Sequence, residues 1–309
     1  MARPQTIGLA CALLGAVGFS FKAVFVKAAY RYGVDPETLL ALRMLYSLPL
    51  FLVMGYVAAR SATAPISDRD WRALLLLGVL GYYGSSYLDF LGLRHISAAL
   101  ERLILFTYPT IVVLYAAWRE RRAPRRATWT ALLLCYAGVA LVVTHDVRAG
   151  SGRVALGGAL VFASAICYAS YLLRAGPVLA RIGSARVAAW ATVIACVASL
   201  LQFAALRPLA LAFAQPWQVQ ALSAAMAVFA TVLPIWLVSE AIRRLGASTT
   251  AMIGSLGPPI TMLMAWMLLG EKLGLLQLLG AALVILGVRK VAADEAVIPA
   301  APATKLART

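Results

Sequence analysis

Apolar residues in this chain come in long blocks, not in the alternation of a half-buried strand or the every-third spacing of a surface helix. Ten blocks stand out: 6–30, 36–58, 71–91, 96–118, 127–145, 155–175, 185–206, 217–240, 246–269 and 274–291. Each holds about 20 mainly apolar residues, the length an α-helix needs to cross the hydrocarbon core of a bilayer. The breaks carry turn and charge signals, as in Gly33, Asp35 and Pro36, in Ser67, Asp68 and Asp70, and in Gly270, Glu271 and Lys272. The pattern predicts an all-α polytopic membrane protein of ten transmembrane helices. The first block is too long for the apolar core of a signal peptide and lacks a cleavage pattern, so it reads as the first span. Most connections are short, which leaves no room for a soluble domain. The Ala- and Pro-rich residues 292–309 read as a disordered cytoplasmic tail.

The blocks repeat at an offset of 149. Gly8 matches Gly157, Arg94 matches Arg243, Pro109 matches Pro258, and the pair Gly138 and Val139 matches Gly287 and Val288. Five spans fall in each copy, so residues 1–148 and 149–291 read as two halves. Because five is odd, the second copy enters the membrane from the opposite side. Such inverted-topology repeats build many secondary transporters, with the substrate bound between the halves near the midplane.

Composition narrows the class further. Of the 309 residues 62% are apolar and 13% charged, against about 45–50% and about 25% in soluble domains. The formal charge of +16 would suggest a nucleic-acid partner in a soluble chain. Here the cations flank the spans. With the N-terminus in the cytoplasm, 18 of the 28 Lys and Arg fall on the cytoplasmic side, 6 fall outside, and Lys22, Lys27, Arg43 and Arg102 lie within spans. That bias places both termini in the cytoplasm of a plasma (bacterial inner) membrane. Cys11, Cys135, Cys167 and Cys196 are scattered singly, and His95 and His145 have no second ligand at helical spacing, so no metal or other cofactor is expected. No phosphate-binding loop of the G-x-x-x-x-G-K-[ST] type occurs, and no Ser/His or metal cluster supports an enzyme.

Two stretches carry a family likeness. One runs from Ser97, Ala98 and Ala99 through Tyr108 and Pro109 to Arg119 and Glu120. The other runs from Gly246, Ala247 and Ser248 through Gly257, Pro258 and Pro259 to Gly270, Glu271, Lys272 and Leu273. The chain resembles the drug/metabolite transporter superfamily, in its ten-helix EamA-type branch, over residues 5–291. The first copy departs from the pattern, since Arg119 and Glu120 replace Gly-Glu and come two residues early. Arg43 in the second span fits the family's habit. The aromatic and small polar residues look most like those of the amino-acid exporters, including exporters of aromatic amino acids. The resemblance implies a cavity lined by spans 1, 3, 4, 6, 8 and 9, and no ATP-hydrolysing domain. Ten helices are enough for a monomer to enclose that cavity.

Ionisable groups inside a span are costly and mark functional sites. Lys22, Arg102 and Asp89 are the sharpest, with Lys27, Arg43 and Glu101 behind them. In the third span Tyr82, Ser86 and Asp89 share one helix face at i, i+4 and i+7, with Tyr83 beside them and Gly81 and Gly84 able to bend the helix. Tyr108, Tyr168, Tyr171, Trp236 and Ser255 complete the candidate substrate-binding set. Pro109, Pro234 and Pro258 are expected to kink their helices and act as hinges with the two glycines. A cavity offering cations and aromatic rings suits a substrate with a carboxylate and an apolar side chain. The expected activity is therefore export of amino acids, aromatic or apolar ones included, by alternating access. An anion exchanger for phosphorylated or nucleotide-linked metabolites is the alternative.

Overall fold

The structure, a computed structural model, describes residues 4–60, 65–119, 121, 126–148, 153–245, 253–254, 256–271 and 274–296. The described residues are helices and short turns. α1 is Pro4–Tyr30, α2 Pro36–Arg60 and α3 Asp68–Leu93. α4 (Ala98–Leu105) and α5 (Tyr108–Arg119) are two short pieces of one expected span. α6 is Arg126–Arg148, α7 Val154–Ile182, α8 Ser184–Leu206 and α9 the single turn Ala210–Phe213. α10 covers 217–245, α11 is Gly257–Leu269 and α12 Leu275–Ala296. Six helices (α1, α2, α3, α7, α8 and α10) are long and apolar enough to span a bilayer, and α6, α11 and α12 carry shorter apolar stretches.

Local signals set the helix starts. Asp35 accepts from the Thr38 N–H at 3.0 Å ahead of Pro36, which lacks an N–H and suits the first helical position. Ser67 caps α3 through the Asp70 N–H at 3.2 Å, and Ser97 caps α4 through the Leu100 N–H at 3.1 Å. α11 ends on Gly270, whose φ of 69° is left-handed and open to glycine without strain.

Packing follows the rules of lipid, where burying apolar surface does not by itself drive helices together and small residues let backbones approach. α1 buries Ala12, Ala16 and Ser20, one every fourth residue, against α10 and α11. Large apolar groups such as Leu52, Val53, Leu201 and Leu279 face outward. Helices α1, α3, α4, α5, α7, α10 and α11 meet one another in the middle, whereas α2 pairs with α8 and α6 with α12 at the sides. The central set corresponds to spans 1, 3, 4, 6, 8 and 9.

Local irregularities of the helices were not visible as residue patterns. α3 contains a π-helical segment at Gly78–Gly84 and α10 another at Val228–Val232. The fourth span breaks at Phe106 and Thr107, and α11 likewise starts at Gly257 after a turn at Leu256. Starts of matching elements recur at one spacing: Asp68 and Trp217, Tyr108 and Gly257, Arg126 and Leu275 are each 149 residues apart.

The prolines correct the expectation of kinked continuous helices. Pro109 and Pro258 each sit at the second residue of a restarted helix, where a missing N–H costs nothing. Around the first break Thr107 Oγ1 donates to the Ile104 carbonyl at 2.7 Å and Thr110 Oγ1 to the Thr107 carbonyl at 2.6 Å, so side chains take over part of the lost ladder. Pro234 lies two residues beyond the α10 π segment.

Candidate functional site

Lys22 lies on the face of α1 that meets α3 and α4. Its Nζ donates to Asp89 Oδ2 at 2.6 Å and stands 3.0 Å from Glu101 Oε1. The two carboxylates are 2% and 0% exposed. Three elements are thus tied at one point, and two acids share one ammonium. Asp89 Oδ1 and both Glu101 oxygens are buried without a hydrogen-bond donor, because the Lys22–Glu101 contact is close but misaligned for a hydrogen bond.

Arg102 follows Glu101 and points elsewhere, as neighbours on a helix must. Its guanidinium packs over the Phe106 ring at 5.9 Å and against Gly257, the first residue of α11. A Cβ at Gly257 would come within 2.7 Å of Arg102 Nη2. Arg102 Nε is buried without a partner, and no carboxylate of the described residues bridges to the guanidinium. A cation therefore sits against a helix N-terminus, which carries partial positive charge of its own.

From Arg102 a row of rings runs through the protein. Phe106 meets Tyr108 edge-on at 6.2 Å, Tyr108 meets Tyr168 at 5.0 Å, Tyr168 stacks on Tyr171 at 5.8 Å, and Tyr171 meets Tyr82 at 5.2 Å. The Tyr82 and Tyr171 hydroxyls are 3.3 Å apart. Gly81 allows this approach, since a Cβ there would lie 2.5 Å from Tyr171 Cβ. The row joins α3, α5 and α7, and it starts where the fourth span breaks.

The other buried ionic groups brace the ends and flanks. Lys27 Nζ donates to the Leu93 and Ile96 carbonyls at 3.3 and 2.9 Å, closing the end of α3. Asp146 accepts from the Ser97 N–H at 2.8 Å, and Glu271 from the Ala98 N–H at 3.1 Å, so two acids serve the α4 N-terminus. Burial is the main influence on Glu271 and pushes its carboxyl above the usual range, against the pull of that N–H and of Lys27. Arg43 Nε donates to Thr231 Oγ1 at 3.0 Å inside the α10 π segment, and its guanidinium lies over Phe90 at 5.5 Å. At the opposite end from Lys27, Arg181 grips Asp70 Oδ1 with two donors at 2.9 and 2.6 Å.

Comparison with known proteins decides what this arrangement belongs to. The model of the EamA-like transporter family matches residues 6–144 and matches again over residues 155–292. The chain belongs to the EamA-like transporter family. It is similar to the uncharacterized transporter YcbK of Bacillus subtilis (strain 168), 32% identical over 286 residues and covering 90% of each protein. It is also similar to the uncharacterized transporter YyaM of the same organism, 26% identical over 218 residues, 69% of this chain and 70% of that one. A solved crystal structure shares the fold with a TM-score of 0.64 at 17% identity, over 96% of this chain and 98% of the other. This EamA-like protein is thus a multi-pass membrane transporter, set in a lipid bilayer and acting on a small molecule.

Within this EamA-like fold the expected site residues divide. Lys22 and Asp89 meet directly, and Tyr82, Tyr108, Tyr168 and Tyr171 join in the ring row that Arg102 ends. The shared face of Tyr82, Ser86 and Asp89 does not form. Tyr82 lies inside the π segment, which inserts an extra residue per turn and rotates the remainder of α3, so Tyr82 turns to α7 and Asp89 to α1. Ser85, not Ser86, pairs with Ser164, Oγ to Oγ at 2.9 Å. Tyr83 stacks on Tyr87 at 6.2 Å, apart from the row, and Gly84 closes the π segment. Trp236 is 54% exposed. Ser255 and the side chain of His145 lie outside the described residues. Phe106 and Thr231 were not expected at the site, and Glu101 was expected only as one of the lesser ionisable candidates. Glu101 carried a signal, being a charged residue inside an apolar block, but only the fold shows that it shares Lys22.

Proposed function

We propose that this transporter is a secondary carrier that exports amino acids, apolar and aromatic ones included, by alternating access between its two halves. The observation that carries the reading is Arg102 set against the start of α11, a half-buried cation with no carboxylate partner among the described residues, at one end of a row of aromatic rings. Broken helices whose N-termini face a substrate anion are a recurrent transporter device. The substrate carboxylate goes to Arg102 and the α11 N-terminus, and its side chain lies along Phe106, Tyr108 and Tyr168. Lys22, the other sharp cationic candidate, is less suited to that carboxylate, because its contacts with Asp89 and Glu101 already use its charge. The inverted-repeat reading, with halves at 1–148 and 149–291 and both termini cytoplasmic, is supported by the matched element starts and the double family match. One available guanidinium suits a carboxylate better than a doubly charged phosphate ester, which weakens the alternative of a phosphorylated-metabolite exchanger.

The test is a substrate panel in proteoliposomes: labelled phenylalanine, labelled threonine, a phosphate ester and a sugar. Saturable flux of the amino acids above that of empty vesicles is expected. Flux of the phosphate ester alone would transfer the reading to anion exchange, and no amino-acid flux would overturn it.

A further inference from the structure

The carboxylates at Lys22 pose an accounting problem. An ionised carboxylate only accepts hydrogen bonds, and burying one without donors is costly. Lys22 satisfies Asp89 Oδ2 with an aligned bond at 2.6 Å. Asp89 Oδ1 and both oxygens of Glu101 receive no donor. Both carboxyl groups nevertheless crowd the same ammonium, at 2.6 and 3.0 Å from its nitrogen. Two acceptor-only groups crowded on one ammonium, with three of their four oxygens buried and without a donor, are relieved of that cost when one of them carries a proton.

The surrounding groups do not supply the missing donor. On α1, Tyr30 gives its hydroxyl to the Phe90 carbonyl at 2.6 Å. On α2, Arg43 gives its Nε to Thr231 and lies over the Phe90 ring, and no ion pair joins it to Asp89. On α4 itself, Arg102 points to Phe106 and Gly257. On α6, Asp146 is engaged with Ser97 at the helix start. α7 brings Tyr168 and Tyr171, which belong to the ring row, and α11 brings no ionisable side chain between Gly257 and Leu269.

We propose that Asp89 and Glu101 together bind one proton, held between their carboxyl groups beside Lys22, and that the transporter exchanges this proton for its substrate. The proton sits on Glu101 and is donated to Asp89 Oδ1, while Lys22 neutralises the remaining negative charge. An amino-acid substrate brings an ammonium group that offers N–H donors to the same oxygens. Ammonium and proton compete for one site, so occupation by either expels the other, and the expelled proton leaves to the side on which the carrier is open. Competition of this kind couples export of substrate to entry of a proton. The site joins α1, α3 and α4, so its occupancy bears on the same helices that meet at the broken fourth span.

The exchange step rests on the amino-acid reading above, whereas the proton site does not, and the experiment separates them. Infrared spectra of the purified protein at pH 7 are expected to show the carbonyl stretch of a protonated carboxylic acid. That component is expected to disappear in Glu101→Gln and in Asp89→Asn and to persist in Glu271→Gln. If either of the first two variants fails to give a monodisperse preparation, the other and the loss of the wild-type band on raising the pH make the same test. A band unchanged in both variants would overturn the proton site. In proteoliposomes carrying an internal pH dye, each substrate molecule leaving is expected to bring a proton in. Substrate flux with no proton movement would overturn the exchange while leaving the carrier reading intact. The band without flux of any amino acid would overturn the carrier reading while leaving the proton site intact.

Discussion

Lys22 and Arg102 are both cations inside the membrane-spanning region, yet their surroundings give them opposite tasks. Lys22 is enclosed by Asp89 and Glu101, so removing it leaves two buried acids with no cation. Breaking a buried ion pair from one side costs about 3–5 kcal/mol. Lys22→Met is therefore expected to lower the Tm in detergent well below that of Lys27→Met, whose partners are two carbonyls. Equal melting temperatures would show that the triad does not hold the helices. Arg102 has no carboxylate partner among the described residues, so Arg102→Ala is expected to leave Tm nearly unchanged and to impair transport. Losing one charge-assisted hydrogen bond of about 1.5–3 kcal/mol raises KM about tenfold or more. Arg102→Lys keeps the charge without the planar fork and is expected to fall between. Measured KM for labelled phenylalanine checks both. The sequence made these residues conspicuous because ionisable groups stand out in apolar blocks. It could not pair them, since Glu101 and Arg102 are adjacent and only the surrounding helices determine where each points.

At the level of elements, the decisive features are discontinuities. The restarts at Tyr108 and Gly257 and the π segments in α3 and α10 redirect side chains that an unbroken 3.6-residue helix would align differently. Pro109 and Pro258 mark the restarts in the sequence, but a proline within an apolar block reads equally well as a kink. The π segment of α3 leaves no such mark, and this is why helical spacing alone aligns Tyr82 with Asp89. Two glycine substitutions test the geometry. Gly81→Ala puts a Cβ 2.5 Å from Tyr171 Cβ, an atom fixed to its own helix, and is expected to destabilise by about 1–3 kcal/mol through overpacking. Gly257→Ala meets the far end of the Arg102 side chain at 2.7 Å, which can swing away. It is expected to preserve Tm within a few degrees while lowering transport. Thermal unfolding and flux measured on both variants would contradict the account if their effects were reversed.

For the whole molecule, ten spans and a 149-residue offset were legible because a bilayer imposes a fixed length on every apolar block. The pairing of helices was not, since spans 2 with 7 and 5 with 10 touch at the sides through small residues that no linear pattern assigns. The cation bias predicts that Asp35 and Arg207, which lie together at one end with 4.0 Å between their charged groups, face outward, whereas Asp70 and Arg181 face the cytoplasm. Asp35→Cys and Asp70→Cys, probed one at a time with a membrane-impermeant thiol reagent on intact cells, are expected to label at 35 and stay protected at 70. The reverse pattern would invert the topology without altering the carrier mechanism. That mechanism is tested most directly by exchange in proteoliposomes. Labelled phenylalanine uptake is predicted to be saturable, to accelerate when unlabelled phenylalanine is preloaded inside, and to be lost in Arg102→Ala. Uptake that does not saturate and ignores the internal load would mark a passive pore, and uptake no faster than in empty vesicles would contradict the amino-acid assignment itself.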